Sequence, residues 1–161
     1  MANLYAVDYK IRHVTLPAKL TNVATAGGKM RVMYDTYTVV TADAQNDIVY
    51  FGRLPEGSRV WEASIYNSAT LGGGSSMDLG WQAVVSGGST DTDGFLDGVP
   101  GTATTTTYCM RGGADTNTNN LNALCNAPVV VADEADVVCT LLGSDPAAGV
   151  ILQACVWYSI D

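Results

Sequence analysis

An acidic segment, Ser89–Asp97, contains the residues whose types and spacing come closest to a metal site. Its sequence is STDTDGFLD. Set against the calcium-loop template, it places Asp91, Asp93 and Asp97 at the third, fifth and ninth positions, with a glycine at the sixth. However, Pro100 stands at the twelfth position, where the template requires a bidentate glutamate, and no flanking helices are predicted. A turn-rich acidic loop is therefore favoured over a calcium site, and no metal ligand is assigned.

Other catalytic groups are sparse. The single histidine, His13, is not accompanied by a GxSxG or cysteine-protease motif, which favours a surface or packing role. The three glutamates are Glu56, Glu62 and Glu134, and nothing in their spacing pairs two of them across a cleft, as glycoside hydrolysis would require. The aspartates are typical of turns, where the side chain caps backbone amides. The sequence predicts no enzyme, no catalytic residue and no cofactor.

The cysteines lack the spacing of a metal or redox motif. Cys109, Cys125, Cys139 and Cys155 contain no CxxC pair among them. Zinc knuckles need closely spaced pairs, so metal ligation is not predicted. Four buried free thiols are favoured over disulfides, since no export signal is recognised in the first residues of the chain.

The charge distribution excludes some partners. The net charge is −8, and all 8 basic residues lie between Met1 and Arg111, together with 10 of the 16 acidic ones. Nucleic-acid binding requires a basic surface, and anionic membranes also select basic segments, so neither partner is predicted. Charged residues make up only 15% of the chain. A surface with so few charges is often partly buried against other subunits.

Two segments show the alternation of a half-buried strand. In Trp61–Ile65 and in Met77–Gln82, apolar residues occupy every second position, which predicts strands with one apolar face each. If these strands pair symmetrically, Trp61 lies opposite Trp81 on the core face. The alternative is that the two tryptophans form an exposed platform for a sugar. Core packing is favoured because both lie on the apolar side of their strands.

The remaining pattern is also one of strands and turns. Strands are predicted over Lys29–Val40 and Asp47–Arg53, and a closing hairpin is predicted around the turn Gly143–Gly149. The last strand, Val150–Tyr158, is almost continuously apolar, so it is either buried on both faces or exposes one face to another subunit.

The predicted organisation is a single all-β domain over residues 1–161. Residues 1–27 are interpreted as an N-terminal arm. Residues 86–126, which are rich in Gly, Thr, Asn and Asp, are interpreted as a long loop or insertion, a type of segment that often makes functional contacts.

The segment LPEGSRVWEASIYN, Leu54–Asn67, resembles one found in small structural proteins of tailed-phage virions. Ser75–Gly80, TDTDGFLD, the closing AGVILQACVWYSI and the opening MANLYAVDY resemble further segments of that group, in the same order. The resemblance is to head decoration (cement) proteins. It implies a β-sandwich of jelly-roll-like form that binds the assembled head and bridges subunits of the major capsid protein.

The same resemblance implies a homotrimer on the outer surface of the head, made in the host cytoplasm and not secreted. The arm, with Tyr5 and Tyr9, and the loop 86–126 would make the contacts. Two alternatives stay open: a receptor- or glycan-binding β domain of a tail fibre or adhesin, in which Trp157 and Tyr158 could contact the sugar, and a head–tail connector component.

Overall fold

The computed structural model describes residues 29–102, 105–109 and 129–160, and within them it contains nine β-strands and no helix. No helix that could span a membrane occurs in these ranges. The strands are β1 (Met30–Thr38), β2 (Ile48–Leu54), β3 (Ser58–Asn67), β4 (Ser76–Ala83), β5 (Asp91–Pro100), β6 (Thr105–Cys109), β7 (Val129–Val131), β8 (Ala135–Leu142) and β9 (Ile151–Ser159).

The strands form two antiparallel sheets. Sheet A has the order β1-β9-β3-β6, with the short β7 also paired to β3, and sheet B has the order β2-β8-β4-β5. Most connections pass from one sheet to the other; β4–β5 is a hairpin within sheet B. When β7 is set aside, the two four-stranded sheets have the strand order of a jelly roll, the double Greek key found in viral capsid and lectin domains. The all-β, jelly-roll-like prediction is therefore confirmed.

The predicted strands exist, but two predicted pairings are wrong. β3 lies in sheet A and β4 in sheet B, so Trp61 and Trp81 are not cross-strand neighbours. The closing segment is not a hairpin either, because β8 pairs with β2 and β4 whereas β9 pairs with β1 and β3. The connection Gly143–Gly149 is an arch between the sheets. Alternation specifies which face of a strand is buried and leaves its partner open.

A bulge explains why Trp61 is not in the core. In the register between β3 and β9, Val60 faces Tyr158 and Glu62 faces Trp157, so Trp61 is the extra residue. A bulge of this kind shifts the alternation by one position. Ala63 then returns to the buried face as predicted, whereas Trp61 stays half-buried and its Nε1 donates a hydrogen bond to Ser159 Oγ at 2.9 Å.

The core lies between the sheets and contains residues from both. Sheet A contributes Leu152, Ala154 and Val156, which alternate along β9. From sheet B, the predicted core positions of β4 are confirmed, since Met77, Leu79 and Trp81 are all buried.

Part of the region interpreted as a long loop is a strand. β5 lies at the edge of sheet B, and Phe95, Leu96 and Val99 from it are buried. Phe95 packs against Trp81 with ring centroids 5.0 Å apart, and the Trp81 indole donates from Nε1 to the Ser89 carbonyl at 3.1 Å. β6 also lies within 86–126, while residues 1–27 and 110–126 lie outside the described residues.

Three inter-sheet connections are hydrogen-bonded together at one end of the sandwich. The Ala147 amide donates to the Leu71 carbonyl at 2.6 Å, and the Gly149 amide donates to the Val39 carbonyl at 2.8 Å. The Gln45 amide donates to Asp145 Oδ1 at 2.9 Å. These bonds satisfy the backbone of the β1–β2, β3–β4 and β8–β9 connections and join them into one layer, which we call the arch end.

Candidate interaction surfaces

The outer face of sheet A is unusually apolar. Strand register places six large exposed hydrophobic residues on the side that points away from the core. Trp157 of β9 is directly opposite Val32 of β1. The side chain of Trp157 is 41% exposed and that of Val32 is 48% exposed. We call this surface the apolar face; its members are Met30, Val32, Tyr34, Val130, Ile151 and Trp157.

The residues of the apolar face come from three strands of sheet A, and polar residues such as Arg59, Glu62 and Gln153 lie between some of them. The three strands are the edge strand β1, the central strand β9 and the short strand β7 on the opposite side. Cys155 lies between Ile151 and Trp157 on the same side of β9 and is half-buried. Single exposed hydrophobic residues are ordinary on protein surfaces, but the neighbouring group of Met30, Val32, Tyr34 and Trp157, which includes Trp and Tyr, is typical of a binding surface.

Sequence reasoning predicted this surface only in part. Of the two alternatives left open for Val150–Tyr158, the one with an exposed face agrees with the structure, in which Leu152 is buried and Ile151 is exposed. The contribution of β1 was missed. The sequence signal is that MRVMYDTYT carries apolar residues on both of its faces, which is typical of a strand whose two faces are both buried, one by the core and the other by a partner.

Sheet B presents a different, acidic surface. Asp78 of β4 is affected by the charges of Asp93 and Asp97 of β5, and the side chain of Asp91 hydrogen-bonds that of Asp93. The pKa of Asp91 is raised to about 6, mainly because the carboxyl is partly buried and secondly because it hydrogen-bonds Asp93. Burial also raises the pKa of Asp78, although the Gly98 amide donates to its Oδ1 at 2.7 Å and opposes that rise.

The raised pKa of Asp91 makes the stability of the fold depend on pH. With a pKa of about 6 against an ordinary 3.8, Asp91 binds more protons in the folded state than in the unfolded state between these values. Stability therefore falls as the pH rises through this window. We expect Asp91→Asn to raise the melting temperature at pH 7 and to have a smaller effect at pH 4. Thermal melts of this variant and of Glu56→Gln, a change in an exposed turn, would measure it; a gain that is the same at both pH values contradicts the prediction.

The calcium-loop hypothesis does not fit the geometry. Ser89–Asp97 runs into β5 as an extended strand with bulges and does not curl around a common centre. A Cβ on Gly94, the template's turn glycine, would meet the Trp81 ring. Among the described residues there is no group of three or more His, Cys, Asp or Glu side chains able to hold a metal ion. The alternative of a turn-rich loop is also wrong for Asp91–Asp97, because these residues belong to the strand.

A cleft of about 350 Å³ lies between β1 and β2. Two of its lining residues are carboxylates, but both act in turns: Asp43 accepts hydrogen bonds from the Val40 amide and the Tyr37 hydroxyl, and Asp47 accepts one from the Ala44 amide. The hydrogen bond to Asp43 is the main cause of a raised pKa at Tyr37. The prediction that aspartates cap turns is confirmed here, because both carboxylates of the cleft accept hydrogen bonds within the β1–β2 connection.

The other candidate residues are dispersed. Glu56 is in the β2–β3 turn, Glu62 is in β3, and Glu134 lies 3.7 Å from Arg53 in an exposed ion pair. Trp81 is 6% exposed and belongs to the core, so the two-tryptophan sugar platform does not form. Tyr158 is also buried, which leaves Trp157 as the exposed member of that pair.

Two of the four cysteines have described side chains. Cys139 is buried and free, as predicted, and burial raises its thiol pKa well above the ordinary range. Cys155 is free but only half-buried. His13, Tyr5 and Tyr9 lie outside the described residues, as does the side chain of every residue from 103 to 128, including Cys109 and Cys125.

No protein-family model matches the chain, and no curated protein matches it in sequence. Two solved structures contain chains of similar fold. A chain in "Capsid of Ralstonia phage GP4" superposes with a TM-score of 0.60 and 17% identity, over 94% of this chain and 94% of that chain. A chain in "Cyanophage Pam1 capsid asymmetric unit" superposes with a TM-score of 0.53 and 14% identity, over 91% of this chain and 96% of that chain. The protein therefore has a jelly-roll fold that is shared, over almost its full length, with chains of two phage capsids.

Proposed function

We propose that the protein is a structural component of a phage head, of the decoration or cement type, which binds the assembled shell and bridges subunits of the major capsid protein. The observation that carries the proposal is the apolar face on sheet A. It combines exposed aromatic and aliphatic side chains on a sheet that the arch end and the core hold in a fixed shape.

The physical basis is preferential binding to one state. A protein that binds only the assembled shell stabilises that shell by mass action, and it needs no catalytic group to do so. A broad, preformed sheet surface suits this task, because little conformational entropy is lost when it docks. Trp157 and Tyr34 suit it as well, since Trp and Tyr are enriched among the residues that dominate interface energies.

The similarity in fold supports the proposal without specifying the role. Jelly rolls occur in lectins as well as in capsid proteins, so the fold also fits a glycan-binding domain. Trp81 is buried, which removes the two-tryptophan platform, and of Trp157 and Tyr158, the residues that could contact a sugar, Tyr158 is also buried. A head–tail connector would share the fold and the binding surface, and differs in copy number and location.

The experiment uses shells assembled without this protein. We expect the purified protein to bind such shells saturably, at sites distributed over the head, and to raise the temperature at which they disrupt. Electron microscopy of the saturated shells would give the number of copies and their positions. Binding confined to a single vertex would indicate a connector, and failure to bind shells would refute the proposal.

A matched pair of variants tests the surface. Trp157→Ser removes an aromatic residue from the apolar face, whereas Tyr50→Ser removes one that is 53% exposed on the outer face of sheet B. We expect Trp157→Ser to weaken shell binding by about tenfold or more, as is usual for a central interface tryptophan. Tyr50→Ser should bind as the wild type does, and equal loss in both variants would contradict the use of the apolar face.

A further inference from the structure

We propose that β1 is a self-association edge, and that two copies of this chain pair their β1 strands antiparallel about a two-fold axis at Met33. The pairing would join two sheets A into one continuous sheet. This inference goes beyond the proposed function and does not depend on it, because it concerns the protein in solution.

The first argument is the length and regularity of this edge. β1 has nine residues, contains no proline, and pairs with β9 in a continuous register from Met30 to Thr38. The edges of sheet B are different: β2 has a register shift between Tyr50 and Arg53, and β5 has two. Bulges, short strands and charged side chains protect sheet edges from pairing with other chains, and of these β1 has only the charges, on Arg31 and Asp35. Among the described edge strands, β1 is thus the long and regular one.

The second argument is charge complementarity within the strand. Opposing residues of an antiparallel pair point to the same side of the sheet. When the axis passes through Met33, Arg31 of each copy lies opposite Asp35 of the other, which forms two ion pairs. Both side chains are exposed, and within the described residues neither makes an ion pair in the single chain, where Asp35 Oδ1 accepts a hydrogen bond from the Thr36 amide at 2.8 Å.

The third argument is the continuity of the apolar face. The same register places Val32 opposite Tyr34 of the second copy, twice, on the outer side of the joined sheet. These side chains are 48% and 59% exposed in the single chain. Aromatic residues paired with β-branched residues are among the stabilising cross-strand combinations. The two apolar faces would then form one surface about twice as wide, which could span two neighbouring subunits of a shell.

The occupant of this edge is therefore a second copy of the chain. A strand from an unrelated protein would have no reason to match the spacing of Arg31 and Asp35, whereas the two-fold axis makes that spacing complementary to itself. Two-fold symmetric pairs are also the commonest oligomers of soluble proteins.

The test is a charge-swap series measured by light scattering after size-exclusion chromatography, over a dilution series. We expect the wild type to form dimers. Arg31→Glu and Asp35→Arg should each weaken dimerisation by about tenfold or more, since each replaces two attractive pairs with two repulsive ones. The double variant R31E/D35R should restore it, because the swapped charges again face each other.

Glu56→Arg provides the control. It makes the same charge change as Asp35→Arg at an exposed turn outside β1, and it should dimerise as the wild type does. Thermal melts would show that every variant is folded.

Several outcomes overturn the inference. A wild type that stays monomeric at all concentrations would show that the edge is not used in this way. A trimer, as the resemblance implies, would overturn the two-fold arrangement. Association that none of the three variants alters, or that the double variant does not restore, would place the interface elsewhere or in another register.

Discussion

Replacing Phe95 with alanine is expected to lower the free energy of unfolding by about 3–5 kcal/mol, the usual cost of emptying a buried phenylalanine site. Phe95 has no exposed surface and packs against Trp81 in the core. In a domain of this size, such a loss lowers the melting temperature by about 10 °C. Because domains have only about 5–15 kcal/mol of stability, the variant should be marginally folded.

The result discriminates between two views of the segment from residue 86 to 126. If Phe95 lay in an open loop, as the composition predicts, its truncation would cost little. If β5 is an edge strand that closes the core, the cost is large. Tyr50→Ala is the control, since Tyr50 is exposed and its hydroxyl hydrogen-bonds Gln82 at the surface. We expect it to change stability by less than about 1 kcal/mol. Equal effects of the two substitutions would contradict the burial of Phe95.

The hidden strand β5 shows what composition can and cannot predict. The segment DTDGFLDGVP contains two glycines and three aspartates, residues that are depleted in strands. It is a strand because Phe95, Leu96 and Val99 enter the core and because its polar residues face outward next to β4. Tertiary packing therefore overrides the low strand propensity of this segment. The local sequence pattern does not show which residues will be buried against β4 and the opposite sheet.

The strands with clear alternation could be predicted, whereas their partners could not. Ala63 and Leu79 were both assigned to buried faces correctly. Their strands nevertheless lie in different sheets. An apolar strand face can be buried by packing against the opposite sheet just as well as beside a neighbouring strand, so alternation alone does not identify the partner. Trp61 shows a further limit: one inserted residue moved it off the core face, and nothing in its own sequence neighbourhood distinguishes a bulge from a regular strand.

The candidate surfaces were harder to predict than the fold. The acidic segment Ser89–Asp97 has the spacing of a calcium loop in part, yet most of it forms β5 at the edge of sheet B. The apolar face has no motif at all. It results from the register between β1 and β9, which brings Val32 and Trp157 together although 124 intervening residues separate them. A surface of this kind becomes visible only when strand order and register are known.

The arch end provides the second large expected effect, at Gly143. This residue has a φ of +82°, in the region that favours glycine, and a Cβ placed on it would overlap the Gly74 carbonyl oxygen. Gly149, in the same connection, has a φ of +85°, but a Cβ there would meet nothing within 4 Å. The two glycines therefore share the same backbone requirement and differ in the space around them.

We expect Gly149→Ala to cost about 1–2 kcal/mol, the penalty of a left-handed conformation for an L-residue. Gly143→Ala should cost about 2–5 kcal/mol, because the backbone of the β3–β4 connection must also move aside. That movement would disturb the neighbouring hydrogen bond from Ser144 Oγ to the Gly73 carbonyl. Urea denaturation of both variants measures the difference, with Gly73→Ala as a site where neither space nor φ opposes a side chain. If Gly143→Ala and Gly149→Ala are equally stable, the close approach of the two arches does not exist in solution.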